Sequence, residues 1–477
     1  MATKYHQISL KETFSGCQDM FIDDTPSFFL LLEEHFDVSD FIPDVFYHAF
    51  YQSLGRKRVY SLHGFLSALI LQKIFSIPTD ALLILFLNLC KELRDFCGFS
   101  KVPDAPLFTR FKQKFLPYIE LMFQKMVDFT EPICQAIDSS LAQMLTFDTS
   151  GIELYVSENN PKTLNSLIKR LKAYYKDNPD VDPYKMAYGL MPSQAASCPD
   201  AKQQYINGHF CYADKFAILT NGLGIVRHIT ILDDDAFKSA HPELDIEKKP
   251  GSPDEDKSVG DSSSLIPLLS DYFSLHPGFH PDVFLGDSAF DSAEIYGSLF
   301  HDFHFSKALI PYNPRNGGTL KKVGYNEYGY PTCPEDPSLA MKYHGATKEK
   351  GRAGRTKWGC PKMRYEKGQW HCECGHPCST AKKGRTTYTY ENMDLRMFPG
   401  IQRDCEEWNA TYKIRTIVER AINHFKINMC VAGRKTRNHA TTKADVFLAG
   451  IASQLTVVVA YRMSCPQHIR SLKPLIA

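Results

Sequence analysis

Apolar and polar positions along the chain change their period three times. Through residue 135 the period is helical. The stretches SLHGFLSALILQKIF, TDALLILFLNLCKELRDFCG and PLFTRFKQKFLPYIELMFQKMVDF each predict helix, with Thr79 as an N-cap and Gly98 as a stop. From 136 to 311 short strand patterns alternate with helical ones. QMLTFDTSGIEL, HFCYADKFAILT and GIVRHITIL predict strands, the last two joined by Asn221-Gly222 as a hairpin turn. SSLIPLLSDYFSLH predicts a helix. DVFLGDSAFDSAEIYGSLF predicts a short buried strand ending at Asp287, a turn, and a helix opened by Asp291 and Glu294 at capping-box spacing. SKALIP, residues 306–311, predicts one more strand. Residues 236–262 are polar and rich in Pro, Gly and Asp, which predicts a flexible loop. Residues 312–400 show little apolar periodicity and read as an insertion too polar to build a core. Residues 401–477 return to a helical period. The fold class is therefore mixed α/β, with parts at 1–135, 136–311, 312–400 and 401–477.

The most informative helical stretch is TYKIRTIVERAINHFKINMC. Tyr412, Arg415, Glu419 and Lys426 follow the spacing Y-x2-R-x3-E-x6-K. At about 100° per residue they sit at roughly 0°, 300°, 340° and 320°, within an arc about 60° wide. Ile414, Ile417, Val418, Ala421, Phe425 and Met429 fall mostly on the other side. One face packs into a core. The other presents a carboxylate, which can hold a metal, beside two cations, which can hold phosphate.

This spacing resembles the signature helix of insertion-sequence DDE transposases at each of its four positions. Asp148 and Asp287 then stand where such an enzyme carries its other two acids. The order of strands and helices is similar to the ribonuclease-H-like core of that family, whose acids come from the first strand, the fourth strand and a late helix. A lone aspartate at a strand end is more often a cap or turn residue; three acids in this order say more. Asp233, Asp234 and Asp235 compete, and read better as a solvated strand end. YSLHGFLSALILQKIF, LRDFCGF and PDAPLFTRFKQKF resemble the helical domain ahead of the core in many bacterial transposases, which would grip transposon-end DNA. The 132 positions from Asp287 to Glu419 depart from the simplest family pattern and require an insertion.

The resemblance implies metal-dependent cleavage at transposon ends and strand transfer into target DNA. Asp148, Asp287 and Glu419 would hold two Mg²⁺ ions, for which Mn²⁺ can substitute; phosphodiester chemistry uses such a pair about 3.5–4 Å apart. Arg415 and Lys426 would position backbone phosphates, with Tyr412 beside one. The partners would be double-stranded DNA, as terminal inverted repeats and target, and a second copy of the chain in the DNA complex. Two other classes stay open: a ribonuclease-H-like nuclease that cuts without joining, and a domesticated relative that only binds DNA.

Charge and cysteine refine this picture. The chain has 477 residues, enough for two or three domains, and a net charge of +1, which by itself announces no nucleic-acid partner. Locally, nine Lys/Arg and two acids lie between Lys342 and Lys367, and Arg434, Lys435, Arg437 and Lys443 follow the signature helix. MATKYHQISLKETFSG lacks an apolar h-region. ALLILFLNLC is too short to span a bilayer, and VFLAGIASQLTVVVAYR is interrupted by Ser453, Gln454 and Thr456. Both predict core helices, with no membrane partner and a bacterial cytoplasmic, nucleoid-associated location. Fourteen cysteines fit a reducing compartment. Five of them, Cys333, Cys360, Cys372, Cys374 and Cys378, crowd among turn residues of the insertion. They are candidates for a structural Zn²⁺ site, with Cys374-x3-Cys378 as the chelating pair; free thiols in a loop-rich insertion are the alternative.

Overall fold

The computed structural model describes residues 27–35, 37–52, 57–178, 180–192, 194–206, 209–232, 235–244, 259–316 and 324–475. Asp233, Asp234 and most of the polar stretch 236–262 lie outside them. Asp235 opens a short helix, Asp235–Ala240, so the loop expected from 236 onward begins in fact as helix.

The N-terminal part is helical as expected, but its long apolar runs are broken. The helices are α1 (Ser27–His35), α2 (Asp44–Phe50), α3 (Leu62–Ile74), α4 (Asp80–Leu89), α5 (Lys91–Phe96), α6 (Ala105–Lys114) and α7 (Leu116–Ile137). Thr79 caps α4 by accepting from the Leu82 N–H, and Gly98 takes a positive φ of 66° after α5. The break between α6 and α7 falls at Phe115, where Pro117 in the first turn of α7 cannot donate back into α6.

A seven-stranded mixed sheet follows. Its strands include β1 (Met144–Glu153), β2 (Cys198–Ile206), β3 (His209–Asn221), β4 (Val226–Ile231), β5 (Val283–Leu285) and β6 (Lys307–Leu309). β1 runs antiparallel to β3, with Asp148 opposite Ile218, and parallel to β5, with Thr146 opposite Leu285. β4 lies antiparallel on the outer side of β3, and β6 lies parallel to β5. The order is thus β4-β3-β1-β5-β6. β2 pairs with the first residues of β3, extending the same edge. The β3–β4 connection is longer than the predicted two-residue turn: it runs from Gly222 to Ile225, with the Asn221 side chain accepting from the Leu223 and Ile225 N–H groups.

Strand period places one set of side chains on each face. Leu145, Phe147, Ala217, Leu219 and Phe284 pack under α8 (Asp261–Leu275). Ile218, Ile229 and Ile231 pack on the other face, beneath α7 and α11 (His439–Arg462). Helices on both faces explain why the strands read as nearly continuous apolar runs. α11 is long and apolar enough to cross a membrane by length and composition, yet 94% of its apolar window is buried inside the protein. It packs on α7, α3, α6 and β4, joining the helical part to the sheet.

A buried charge network pins this junction. Lys73 Nζ lies 2.9 Å from Asp445, Lys112 Nζ 2.8 Å from Asp80, and the Arg434 guanidinium 2.6 Å from Asp80 and 3.0 Å from Asp445. Burial draws the Lys73 ammonium down to about 8.

The segment from 324 to 400 has more structure than its polarity predicts. Lys342–Thr347, Arg355–Gly359 and Thr386–Tyr390 form a three-stranded antiparallel sheet, flanked by two small hairpins. Trp358 is buried, donates to Thr389 Oγ1 at 3.0 Å and packs on Tyr330 and Tyr343. Aromatic rings supply a small core that aliphatic periodicity does not reveal.

Candidate active site

The two faces of β1 set the site. Met144 to Phe147 are buried, and the strand emerges at Asp148, Thr149 and Ser150. Asp148 and Ser150 share one face, towards α10 (Thr416–Asn423); Thr149 points to the other, where its hydroxyl donates to Asp261 Oδ1 at 2.6 Å. Asp287 lies two residues past β5, where its side chain caps the short turn Ser288–Phe290 by accepting from the Ala289 N–H. Glu419 sits in the first turn of α10.

Arg415 brings these acids together. Its Nη1 donates to Glu419 Oε1, and its Nη2 lies 3.5 Å from Asp287 Oδ2. Asp148 is close enough to feel Arg415, Glu419 and Asp261. Burial pushes the Asp148 carboxyl up to about 6; Glu419 and Asp261 push the same way, and the Thr149 N–H and Arg415 oppose them. At neutral pH the site therefore holds a mostly ionised carboxylate kept partly from water.

The signature stretch is not the single helix that its pattern predicts. α9 (Glu406–Tyr412) gives way to a 3₁₀ turn, Lys413–Arg415, then to α10, then to a π-helical turn, His424–Asn428. The faces survive these breaks. Ile417, Val418, Ala421, Phe425 and Met429 are buried, and Arg415 and Glu419 meet on the open side. The π turn re-aims Lys426, whose Nζ donates to Ser150 Oγ at 3.1 Å on the strand that carries Asp148. Burial lowers the Lys426 ammonium and raises the Tyr412 phenol. Tyr412 stacks on Trp408 with ring centroids 5.9 Å apart, and its charge environment includes Arg415, Asp287 and Glu419. All six predicted residues thus gather about the half-buried middle of β1, Asp148 to Ser150.

Other predicted roles change. Asp291 does not cap a helix; Ser292 caps Ala293–Gly297 by accepting from the Ile295 N–H. Asp291 is fully buried, 3.4 Å from Arg396 and 3.6 Å from Arg403, tying the chain after Asp287 to the end of the insertion. Arg434 belongs to the internal charge network, and Lys443 pairs with Glu120 at 2.8 Å. Within the basic run of the insertion, Arg352 and Arg355 pair with Glu349, Lys348 with Glu391, Lys362 with Asp336 and Arg364 with Glu373.

Asp261 and Lys215 escaped the sequence reading. Lys215 Nζ lies 2.6 Å from Asp261 Oδ1. Burial works to raise the Asp261 carboxyl, and Lys215 overrides it, leaving it below its ordinary range. The one available signal was the Gly-Asp-Ser-Ser-Ser start of the α8 pattern, obscured by the polar run before it.

Hard carboxylate oxygens from Asp148, Asp287 and Glu419 fit Mg²⁺ in kind, and the raised Asp148 carboxyl marks a charge that a cation would compensate. Arg415 is the group that now neutralises Asp287 and Glu419. Among the described residues no three His, Cys, Asp or Glu side chains are drawn close enough to share one ion. That holds for the insertion's cysteines too. Cys333 and Cys360 are buried, Cys372, Cys374 and Cys378 half-buried, and every described cysteine is a free thiol. They do lie in one neighbourhood: burial raises the Cys360 thiol, and Cys372, Cys333 and Cys378 add to the rise.

Residues 17–114 match a family model described as Transposase domain (DUF772). No curated protein matches the chain. The match covers α1 to α6 and supports a transposase, a DNA-processing enzyme in general terms.

Proposed function

We propose that the chain is a DDE-type transposase of an insertion sequence, which cuts DNA at the element's ends and joins the freed strand to target DNA. The observation that carries the reading is the convergence of Asp148, Asp287 and Glu419 on Arg415 from β1, the end of β5 and α10. The strand order β4-β3-β1-β5-β6, with three antiparallel strands followed by two parallel ones, is that expected of a ribonuclease-H-like core. The transposase-domain match at residues 17–114 supports the coarser part of this reading, a transposase, independently of these acids.

Two divalent ions, when bound, would activate the attacking oxygen and relieve charge on the leaving oxygen. Asp148, Asp287 and Glu419 are the residues to hold them. Arg415 is placed to exchange its carboxylate partners for a backbone phosphate, and Lys426 stands one residue pair away on Ser150. Asp261 and Lys215 steady β1 from behind through Thr149. The partners in this reading are duplex DNA, both terminal repeats and target, and a second copy of the chain on that DNA, in the bacterial cytoplasm. In the insertion, a structural Zn²⁺ site drawn from Cys333, Cys360, Cys372, Cys374 and Cys378, with Cys374 and Cys378 as its central pair, would require these free thiols to close up from their described positions. A strand-cleavage and joining assay on the DNA flanking the gene, with and without Mg²⁺, tests the whole reading.

A further inference from the structure

Between β1 and β2 the chain makes an excursion that adds little to the sheet. It holds one helix of 14 residues, Pro161–Tyr174, and a shorter one, Pro183–Gly189. Their contact buries Ile168, Leu171 and Ala187 as a small cluster of its own. Both ends are tied to Tyr212 of β3. The Asn159 amide donates to the Tyr212 carbonyl at 2.8 Å and accepts from the Tyr212 N–H at 2.7 Å, and the Tyr212 hydroxyl donates to the Pro192 carbonyl. The excursion is therefore a fixed arm. It starts past the end of β1, and the strand itself covers about 17 Å from Asp148 to Glu153, at about 3.4 Å per residue.

Charge divides the long helix. Its cations are Lys162, Lys169, Arg170 and Lys172, and it carries no Asp or Glu. With Lys162 at 0°, the cations fall between roughly 280° and 80°, together with the small residues Asn165, Ser166 and Ala173. Leu164, Leu167, Ile168 and Leu171 fall between roughly 140° and 240° and pack into the arm's own cluster. The basic run of the insertion is matched by Glu349, Glu391, Asp336 and Glu373. Lys162, Lys169 and Arg170 are exposed and meet no carboxylate among the described residues. Lys172 rests on Tyr184, its Nζ 2.8 Å from the hydroxyl and 4.5 Å from the ring centroid. Glu158, just before the helix, accepts from the Ala196 N–H at 2.9 Å; Asp177 follows beyond the last turn, and Asp182 caps the shorter helix. Lys169 and Lys172 repel at i, i+3 spacing, and Lys162 stands in the first turn, where the helix dipole disfavours a cation. Apart from the Lys172–Tyr184 contact, the arm offsets none of these costs itself. A row of phosphates offsets them all.

We infer that the exposed face of Pro161–Tyr174 is a second contact for duplex DNA, with backbone phosphates on Lys162, Lys169 and Arg170. The inference rests on the reading of the chain as a DNA-processing transposase. It places the contact apart from the acids, the N-terminal helices and the insertion. A duplex running from the acids along β1 reaches the arm after about five base pairs, at about 3.4 Å per pair. Asn165, Ser166 and Ala173, short side chains among the cations, let the helix approach the duplex closely. An unpaired strand fits less well, because the cationic arc carries no ring for a base to stack on.

The test uses the full chain and a fluorescein-labelled duplex of mixed sequence, about 30 base pairs or three turns long, in fluorescence anisotropy over a salt series. Lys162→Gln, Lys169→Gln and Arg170→Gln together should flatten the slope of log K against log salt by about 2.7, at about 0.9 per phosphate contact, and Lys169→Gln alone by about 0.9. Glutamine is a good helix former, so both variants should melt as wild type does. A control removes the same charge elsewhere: Lys348→Gln, Arg352→Gln and Arg355→Gln change cations that already have carboxylate partners, and together they should flatten the slope by less than about 1. An unchanged slope in the arm variants would overturn the inference. Equal flattening by the control would overturn it too, since net charge alone would then account for the effect. Vesicles containing phosphatidylserine form a further arm of the test: loss of vesicle binding in the triple variant, with its DNA slope unchanged, would assign the face to an anionic membrane instead. Mg²⁺-dependent cleavage separates this inference from the catalytic reading. If the arm variants keep the wild-type slope while Asp148→Asn abolishes cleavage, the arm contact alone is wrong. If wild type does not cleave while the arm variants lose slope, the catalytic reading alone is wrong.

Discussion

Asp148→Asn should make the metal-free protein more stable while removing its activity. The Asp148 carboxyl is raised from 3.8 to about 6, chiefly by burial, with Glu419 and Asp261 adding repulsion. A raised folded-state value means that the folded protein binds the proton more tightly than the unfolded chain. The ionised form therefore destabilises the fold as pH rises through the interval between the two values. At 1.36 kcal/mol per unit, a rise of about 2 units corresponds to a penalty of about 3 kcal/mol above pH 7. Residual exposure of the carboxylate and its hydrogen bond from the Thr149 N–H, 2.8 Å long, reduce the gain from asparagine to about 1–2 kcal/mol. Thermal unfolding in EDTA at pH 4, 5, 6 and 7 measures it. The Asn variant should melt higher at pH 7, and its advantage should shrink as pH falls through 6 and become small at pH 4, close to the ordinary value of 3.8, where the folded carboxyl is protonated and the unfolded one about half so. Added Mg²⁺ should then raise the melting temperature of the wild type but not of the variant. A variant no more stable than wild type at pH 7, or an advantage that does not vary with pH, would refute the electrostatic account of this site.

The other expectations are more local. Asp445→Asn leaves Lys73, Lys112 and Arg434 buried around a neutral group and should cost about 3–5 kcal/mol in denaturant unfolding; a loss below about 1 kcal/mol would show that the network is not what joins α11 to the helical part. Arg415→Ala and Lys426→Ala should each weaken binding to end DNA, with the salt slope shallower by about one unit apiece; slopes equal to wild type would remove both residues from phosphate contact. Protein purified without chelators should carry about one zinc per chain, and Cys374→Ser should loosen the insertion while sparing the sheet; metal-free protein with an ordered insertion and full joining activity would leave ordinary thiols as the account.

Local signals made much of this architecture legible. β1 could be read because four buried residues end abruptly at Asp148, and the signature helix because its apolar and polar sets fall on opposite faces. What stayed hidden depends on contacts distant in sequence. Asp291 looks like a cap beside Glu294, but Arg396 and Arg403, more than 100 positions later, take it into the interior. The breaks at Lys413–Arg415 and His424–Asn428 leave no mark on periodicity; Tyr412 stacks on Trp408, and Lys426 reaches Ser150. Arg434, in the loop before α11, reads as a free surface cation until Asp80 of α4 and Asp445 of α11 are placed against it. The insertion reads as coreless because its core is Trp358 with Tyr330 and Tyr343, not an aliphatic face.

The central claim is that Asp148, Asp287 and Glu419 form one metal-dependent catalytic site for DNA strands. The most direct measurement incubates the purified chain with labelled duplex from the ends flanking its gene, in Mg²⁺ or in EDTA, and follows nicked and joined products. Wild type should give both products in Mg²⁺ alone. Asp148→Asn, Asp287→Asn and Glu419→Gln should each give neither, while still retaining the DNA in a gel shift. Cleavage at the wild-type rate by any one of the three, or full activity of wild type in EDTA, would contradict the account.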